Sequence, residues 1–568
     1  MTRRAPGVAP RAAVFRYASR VRAQIEQLGD PGGRLRGWPV FGVAFVGSLF
    51  LALGSPPNGY TALIWLGFFP LALVARVCGG LRLRRLFALG WVGGLCVGLV
   101  GFPWIAEMLE RFAAFPPWLA LVGLGAFSAW TALPFGLWMI GTALGPRAGW
   151  KAVAWPAALW VGIAALWPAL FPYTVVIGFA EVPPWMQAAE LGGVGLVEAQ
   201  VVVCGVLLAD GVLAGTPRAR WSRIVAALAI PVVSHLLGSA RMAALDAAAE
   251  DAPRVRFGIV QPNVPLMSLD RVDKMQRLRG QSRLAQDEGA EVVVWPEAGA
   301  FPFRVIRPFS WDHRDPLRSV MREHERPTIF GAASLDPAKK WEYNTVFLMS
   351  PDGEVTDYFD KVILVPFGEY IPIVDPDWAM RIIPGMSHNL RGEGPARFVI
   401  EVPATEQRPE AQTFAAGPLI CYEDIFADFS RRVAAQSGGL EVFVNATIDT
   451  WFGVTAEPWE HLALAQFRSV EHRIPMVRSV AAGPSSVVDH TGRLTHALEL
   501  RGPTRYNSVP AERLVADVAL VRNTADAPTV YARGGWLLPW GCAVVVLGVV
   551  LVRIRRSSYR PGSSPPSA

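Results

Sequence analysis

Residues 38–240 are almost continuously apolar, and this constrains the fold more than any other feature of the chain. A run of about 20 apolar residues crosses the hydrocarbon core of a bilayer as a helix, because a helix pairs its own backbone N–H and C=O groups where no water can. Composition agrees, since 52% of the 568 residues are hydrophobic and only 18% are charged, too apolar for a wholly soluble chain. Seven runs are candidate spans: Trp38–Leu53, Tyr60–Val77, Leu86–Ile105, Trp118–Leu144, Val153–Phe171, Val194–Leu213 and Ile224–Gly238. An eighth, Gly535–Val552, lies near the C-terminus. Pro70, Pro103, Pro134 and Pro231 interrupt several of them.

Charge in the connections orients these spans, because Lys and Arg in short loops favour the cytoplasmic side. The basic N-terminal tail, residues 1–37, is followed by alternate connections bearing Arg76, Arg82, Arg84 and Arg85, then Arg147 and Lys151, then Arg218, Arg220 and Arg223. The intervening loops are nearly uncharged or acidic, with Glu107, Glu110 and Arg111 in one and Glu181 and Glu190 in another. The expected arrangement has eight spans, both termini in the cytoplasm and an exported domain after the seventh span. Its expected parts are a seven-span bundle at 38–240, a catalytic domain at 241–530, the eighth span at 531–556 and a short tail at 557–568. The net charge of +7 is then orientation charge and not the footprint of nucleic acid.

From Arg254 the pattern changes to short β-branched runs alternating with helical stretches, the mark of an α/β domain. Expected strands are Arg254–Val260, Glu291–Trp295, Thr328–Ala333, Thr345–Ser350, Phe414–Cys421, Val442–Ala446 and Pro475–Ala481, and expected helices Lys274–Glu288, Pro316–Glu325, Phe426–Ser437 and Trp459–His472. Four of the five cysteines, Cys78, Cys96, Cys204 and Cys542, fall in or beside apolar runs, which leaves Cys421 alone in this domain. No disulfide can form within it. The scattered histidines and the lack of a phosphate-binding glycine loop give no metal or cofactor site, and none is expected.

Three strand ends carry chemistry. Trp295-Pro296-Glu297 ends an apolar strand in a carboxylate, Lys361 precedes an apolar run and the Gly368-Glu369-Tyr370 turn, and Leu419-Ile420-Cys421-Tyr422-Glu423 delivers a thiol onto a turn before a helix. Taken singly these are a capping carboxylate, a surface lysine and a core thiol. Together they make an acyl-transfer set. A thiol needs a base to take its proton, a carboxylate serves if burial raises its pKa, and the tetrahedral intermediate needs donors, which Lys361 and the Tyr422 backbone N–H can supply.

These residues resemble the Glu-Lys-Cys triad of the nitrilase, or carbon–nitrogen hydrolase, superfamily. Set between seven spans and one, the chain is similar to the apolipoprotein N-acyltransferases. Further marks are Val260-Gln261-Pro262-Asn263, Trp451-Phe452-Gly453, Arg478-Ser479 and Tyr531-Ala532-Arg533. The resemblance implies an αββα sandwich and a ping-pong reaction in which a phospholipid acylates Cys421 and the α-amine of a diacylglyceryl-cysteine at a lipoprotein N-terminus takes the acyl group. It makes Glu297 the general base and acid, Lys361 the oxyanion stabiliser and Glu369 a support for Lys361 or for the amine, with Tyr422, Glu423 and Trp451 beside them. The enzyme is expected in the cell inner membrane as a monomer, with its domain on the outer face. Residues Ile373–Met386, with Trp378, Met380, Ile382 and Ile383, are a candidate membrane-facing lid. The chain departs from the family pattern at Ile448-Asp449-Thr450, at Val480–Pro484 and at Ser268-Leu269-Asp270, where a Trp is usual.

Two other readings use the same residues differently. A membrane-tethered amidase or nitrilase would employ the same triad with water as second nucleophile. A transporter with a fused binding module would need a polar path through the bundle, for which Glu198 and Asp210 are the main candidates.

Overall fold

The computed structural model describes residues 38–558 except 57, 113, 170, 266–269, 308–319, 321–324, 367, 372–373, 383–387, 405–407, 503–508 and 522–527. The basic tail, all of the expected helix Pro316–Glu325 but Val320 and Glu325, the departure at Ser268-Leu269, and Ile373, Ile383 and Met386 of the candidate lid lie outside the described residues. Of that lid, Trp378 stands on a short helix, Pro376–Ile382, and is exposed.

Each apolar run is helical. The helices are α1 (Trp38–Leu53), α2 (Phe68–Val77, preceded by a 3-10 turn), α3 (Leu83–Gly101), α4 (Trp104–Phe112), α5 (Pro117–Thr131), α6 (Leu133–Ala143), α7 (Lys151–Leu166), α8 (Ala189–Val212) and α9 (Pro217–Ala248). Five helical segments are long and apolar enough to cross a membrane: Leu83–Gly101, Pro117–Ala143, Ala189–Val212, Pro217–Ala248 and Gly535–Arg553; Val40–Leu53, Thr61–Val77 and Lys151–Leu166 are shorter apolar segments. On α9, Trp221, Val225, Leu228, Val232 and Leu236 face outward, an apolar surface that water would not tolerate at this extent. Pro103 separates α3 from α4, because proline removes a helix donor and disfavours helical backbone before it. The seventh run continues ten residues past its expected end at Gly238, since the residues beyond it are good helix formers and Arg241 is tied to Glu190.

The domain after α9 holds two sheets. The first runs in the order β14 (Glu512–Ala519), β1 (Arg254–Gln261), β2 (Val292–Val294), β4 (Thr328–Leu335), β5 (Glu342–Met349), β6 (Val355–Asp360), with β3 (Val305–Ile306) on β4 and β7 (Asn389–Leu390) on β5. The second runs β13 (Leu494–Ala497), β12 (Ser486–Val488), β11 (Met476–Val480), β10 (Val442–Thr447), β9 (Gln412–Ile420), β8 (Phe398–Val402). The pairs β1–β2, β2–β4, β9–β10 and β10–β11 at the centres are parallel, as are the short β3 and β7 on their neighbours, and the remaining pairs are antiparallel. Val255, Phe257 and Ile259 of one sheet pack against Phe414, Phe443 and Val444 of the other in a shared core. Helix α10 (Arg271–Asp287) covers the first sheet through Met275 and Leu278, and α11 (Ala427–Ala434) covers the second through Phe429 and Val433. The result is the expected two-sheet sandwich between helices.

The domain rests on the bundle through α12 (Glu457–His472). Its Leu462 and Ala465 enter the core between the sheets, while Ala463, Phe467 and Val470 belong to the bundle core. The nearly uncharged loops meet the domain: Trp104 donates to Glu460 at 3.0 Å, Gln466 to the Ala180 carbonyl at 3.2 Å and Gln187 to the Thr491 carbonyl at 2.9 Å. A last helix, α13 (Leu538–Ser558), packs on α7. Asp210 is paired with Arg76 at 2.9 Å, and Glu198 accepts from Thr174 and the Val175 N–H. Each intramembrane carboxylate is therefore absorbed by a local structural bond.

Candidate active site

All three triad positions follow strand ends on one side of the sandwich. Glu297 comes three residues after β2, Lys361 directly after β6 and Cys421 directly after β9. The apolar residues after Lys361 form a turn instead of a strand, and the strand that delivers the lysine is β6, whose alternating burial carries a weaker apolar signal. Close approach of β4 to Glu297 requires Gly331, where an added Cβ would stand 2.6 Å from the Glu297 Cα.

Lys361, 1% exposed, binds Glu297 Oε1 at 3.0 Å and Glu369 Oε1 at 2.8 Å. Asn344 donates to the same two oxygens at 2.7 and 2.9 Å, and the Val365 N–H donates to Glu369 Oε2 at 2.9 Å. Both Glu369 oxygens are thus engaged in holding Lys361 and its turn. Burial alone would lower the Lys361 pKa, but Glu297 and Glu369 together outweigh it and keep the ammonium charged far above neutrality. Burial raises the Glu297 pKa, against Lys361, which lowers it, and with Glu369, which adds to the rise. Glu297 Oε2 is buried with no hydrogen-bond partner among the described residues, an oxygen free to take a proton.

Cys421 adopts φ 49°, left-handed backbone that a side chain seldom accepts and that costs on the order of 1–3 kcal/mol. Its neighbours hold it there. Asn445 donates to the Cys421 carbonyl at 3.0 Å, and Glu423 Oε2 accepts from the Ile420 N–H at 2.9 Å. Glu423 Oε1 accepts from the Val362 and Ile363 N–H groups at 2.7 and 3.0 Å, so one buried side chain ties the nucleophile turn to the segment after Lys361. Burial pushes the Glu423 pKa up to about 8 against the pull of these donors. Burial first, then the negative charge of Glu297, raises the Cys421 thiol well above its ordinary value, while Lys361 lowers it. The resting sulfur is a thiol, so a base must act at the moment of attack.

Behind the turn lies a second buried polar layer. His461 Nε2 faces Asp424 Oδ1 at 2.8 Å and its Nδ1 faces Asp449 Oδ1 at 3.2 Å, with Arg478 Nε 3.4 Å from Asp424 Oδ2. Burial draws the His461 pKa down, but Asp424 and Asp449 win, and it rises to about 10. Ligand atoms of Asp449, Glu457 and His461 lie within 4.8 Å of one another, and both His461 ring nitrogens are turned to carboxylates, those of Asp424 and Asp449. Sequence reasoning marked Arg478 and the departure at Asp449 but passed over His461 and Asn344, because an isolated polar residue on a buried strand or helix has no periodic or spacing signal.

The triad opens onto a cavity of about 680 Å³. Cys421, Glu297, Lys361, Glu369, Tyr422 and Trp451 line one part, and Phe102, Trp104, Met108, Leu109, Phe115 and Phe171 from the bundle line another. The Tyr422 ring meets Phe171 edge to face at 5.8 Å, which joins the two parts.

Two family models match the chain in order: the apolipoprotein N-acyltransferase N-terminal domain over residues 47–207 and carbon–nitrogen hydrolase over 256–511. The apolipoprotein N-acyltransferase of Geobacter metallireducens is 27% identical over 91% of this chain and 95% of its own length. That of Gloeobacter violaceus is 29% identical over 89% and 93%. Among solved structures, a nitrilase-superfamily protein of Saccharomyces cerevisiae aligns at 18% identity with a TM-score of 0.35, over 50% of this chain and 93% of its own. With both halves matched in order, and relatives matched over about nine-tenths of the chain, it belongs to the apolipoprotein N-acyltransferase family.

Proposed function

We propose that the chain moves an acyl group from a membrane phospholipid, through a thioester on Cys421, to the α-amine of a diacylglyceryl-cysteine at a lipoprotein N-terminus. The observation that carries this reading is the cavity itself, whose polar part is the triad and whose apolar part is built by the bundle. An amidase acting on a small amide needs no such wall.

Glu297 takes the Cys421 proton as sulfur attacks the ester carbonyl, and Lys361 with the Tyr422 N–H stabilises the oxyanion. Collapse breaks the ester C–O bond, and the proton on Glu297 passes to the leaving lysophospholipid oxygen. The acceptor amine then attacks the thioester, Glu297 accepts its proton, and as the C–S bond breaks Glu297 returns that proton to the sulfur, which restores the thiol and the base. Glu369 positions Lys361, Glu423 positions the turn, and Trp451 shapes the cavity wall beside the nucleophile. We read the bundle as eight spans, with the seven-span part at 38–240, the domain at 241–530 on the outer face and both termini cytoplasmic. The positions of the basic loops and the docking of the opposite loops on the domain support that topology.

The test is expression of the chain, and of Cys421→Ser, in a host depleted of its own N-acyltransferase, with mass spectrometry of a reporter lipoprotein N-terminus. The wild-type chain should acylate the amine and the variant should not. An unmodified amine at verified wild-type expression refutes the reading, and ammonia release from a small amide would favour the hydrolase instead.

A further inference from the structure

A buried ammonium normally stands beside a carboxylate, because burial of an unpaired charge is costly. The cavity wall contains an exception. Lys274, in the first turn of α10, is 8% exposed and lines the same cavity as Cys421. Its Nζ binds the Gly299 carbonyl at 2.8 Å and has no ion-pair partner among the described residues. An ammonium carries three donors, so two remain for something that enters the cavity. Burial lowers the Lys274 pKa, the direction for a cation whose environment supplies no counter-charge. The other lysine of the cavity, Lys361, is opposite in kind, since Glu297 and Glu369 both hold it.

Placement says what the missing charge is. Gly299 follows two residues after Glu297, so the carbonyl that anchors Lys274 is continuous with the segment bearing the base. Val264, Pro265, Lys274 and Gly299 belong to the catalytic domain, whereas Phe102, Trp104, Met108 and Leu109 belong to the bundle. A lipid ester with its carbonyl at Cys421 and its chain along the bundle aromatics directs its remaining part toward the domain wall. In a phospholipid that part carries a phosphodiester anion. The acceptor, a diacylglyceryl thioether, carries none.

We infer that Lys274 is the specificity residue for the acyl donor, binding the lipid phosphodiester and so selecting phospholipid over uncharged esters in the first half-reaction. This rests on the function proposed above. A carbonyl partner suits the role, since it orients the ammonium without neutralising it, and an apolar surround strengthens its attraction for the anion.

The experiment uses the full chain in detergent micelles and follows the acyl adduct on Cys421 by intact mass, with phosphatidylglycerol or the diacylglycerol of the same chains as donor. In Lys274→Met the rate ratio of phospholipid to diacylglycerol should fall about 10- to 100-fold, the loss expected for one charge-assisted hydrogen-bonded contact. Lys274→Arg should recover most of that ratio. If Lys274→Met does not accumulate as folded protein, Lys274→Gln is read in the same way. A ratio equal to that of the wild type, or an equal fall with both donors, overturns the assignment. A wild-type chain that forms no Cys421 adduct from either donor overturns the proposed reaction itself, and the assignment with it.

Discussion

At the scale of single residues, the site is governed by one buried cation shared between Glu297, which is buried, and Glu369, which is half-buried. Lys361 holds Glu297 and Glu369 at hydrogen-bond distance, and removing it would leave both without a counter-charge, with only the neutral donors Asn344 and the Val365 N–H beside them. Lys361→Met should therefore do two things. Adduct formation at Cys421 should fall about 10²- to 10³-fold through loss of the proposed oxyanion donor. Stability should fall by about 3–5 kcal/mol, as for other broken buried pairs. Intact-mass kinetics and thermal unfolding of the purified protein check the two effects separately, and a Lys361→Met chain of wild-type stability would show that the carboxylates find another partner. The residues of the proposed triad were picked out in the sequence because Glu297 and Cys421 each end an apolar run and Lys361 precedes one. Asn344 and His461 were not, since their importance lies in what they face across the fold.

At the scale of elements, helix α3 packs through a stripe of glycines. An added Cβ would stand 2.3 Å from the Phe135 carbonyl oxygen at Gly90, 2.7 Å from the Ala132 Cα at Gly94 and 2.6 Å from the Ser128 Cβ at Gly98. The three share one face at four-residue spacing, the arrangement that lets membrane helices approach closely. Gly94→Leu should lower the thermal midpoint in detergent, with overpacking costing about 1–3 kcal/mol. Gly125→Ala, with nothing within 4 Å of its Cβ, is the control and should be neutral or slightly stabilising. A neutral Gly94→Leu would mean that α3 does not pack as described. Helices and centre strands were readable from period and β-branching, but β6, β8 and β14 were not. These antiparallel strands have one half-exposed face, so their alternation looks like ordinary polar sequence.

At the scale of the whole molecule, burial of many ionisable groups between domain and bundle sets how stability varies with pH. Burial raises Glu423 and Glu460 from 4.5 to about 8, so the folded chain retains protons that the unfolded chain has released, and this stability declines as pH rises from 4.5 to 8. Despite burial, Asp424 and Asp449 raise His461 from 6.5 to about 10, a contribution of the same sign that is complete below 6.5 and lost as pH rises through 10. His472, buried and lowered to about 3, acts oppositely, and only below 6.5. The thermal midpoint should therefore fall between pH 6.5 and 8, and a flat or rising midpoint there contradicts these protonation states. Sequence alone determined the change from apolar helices to an α/β domain, and pointed to the residues of the proposed triad, because hydrophobic period and strand-end residues are local properties. Tertiary structure decided which groups stand unpaired. It placed two carboxylates on Lys361 and, among the described residues, none on Lys274, and it made one cavity from bundle aromatics and domain strand ends, because burial and charge balance depend on neighbours far away in the chain.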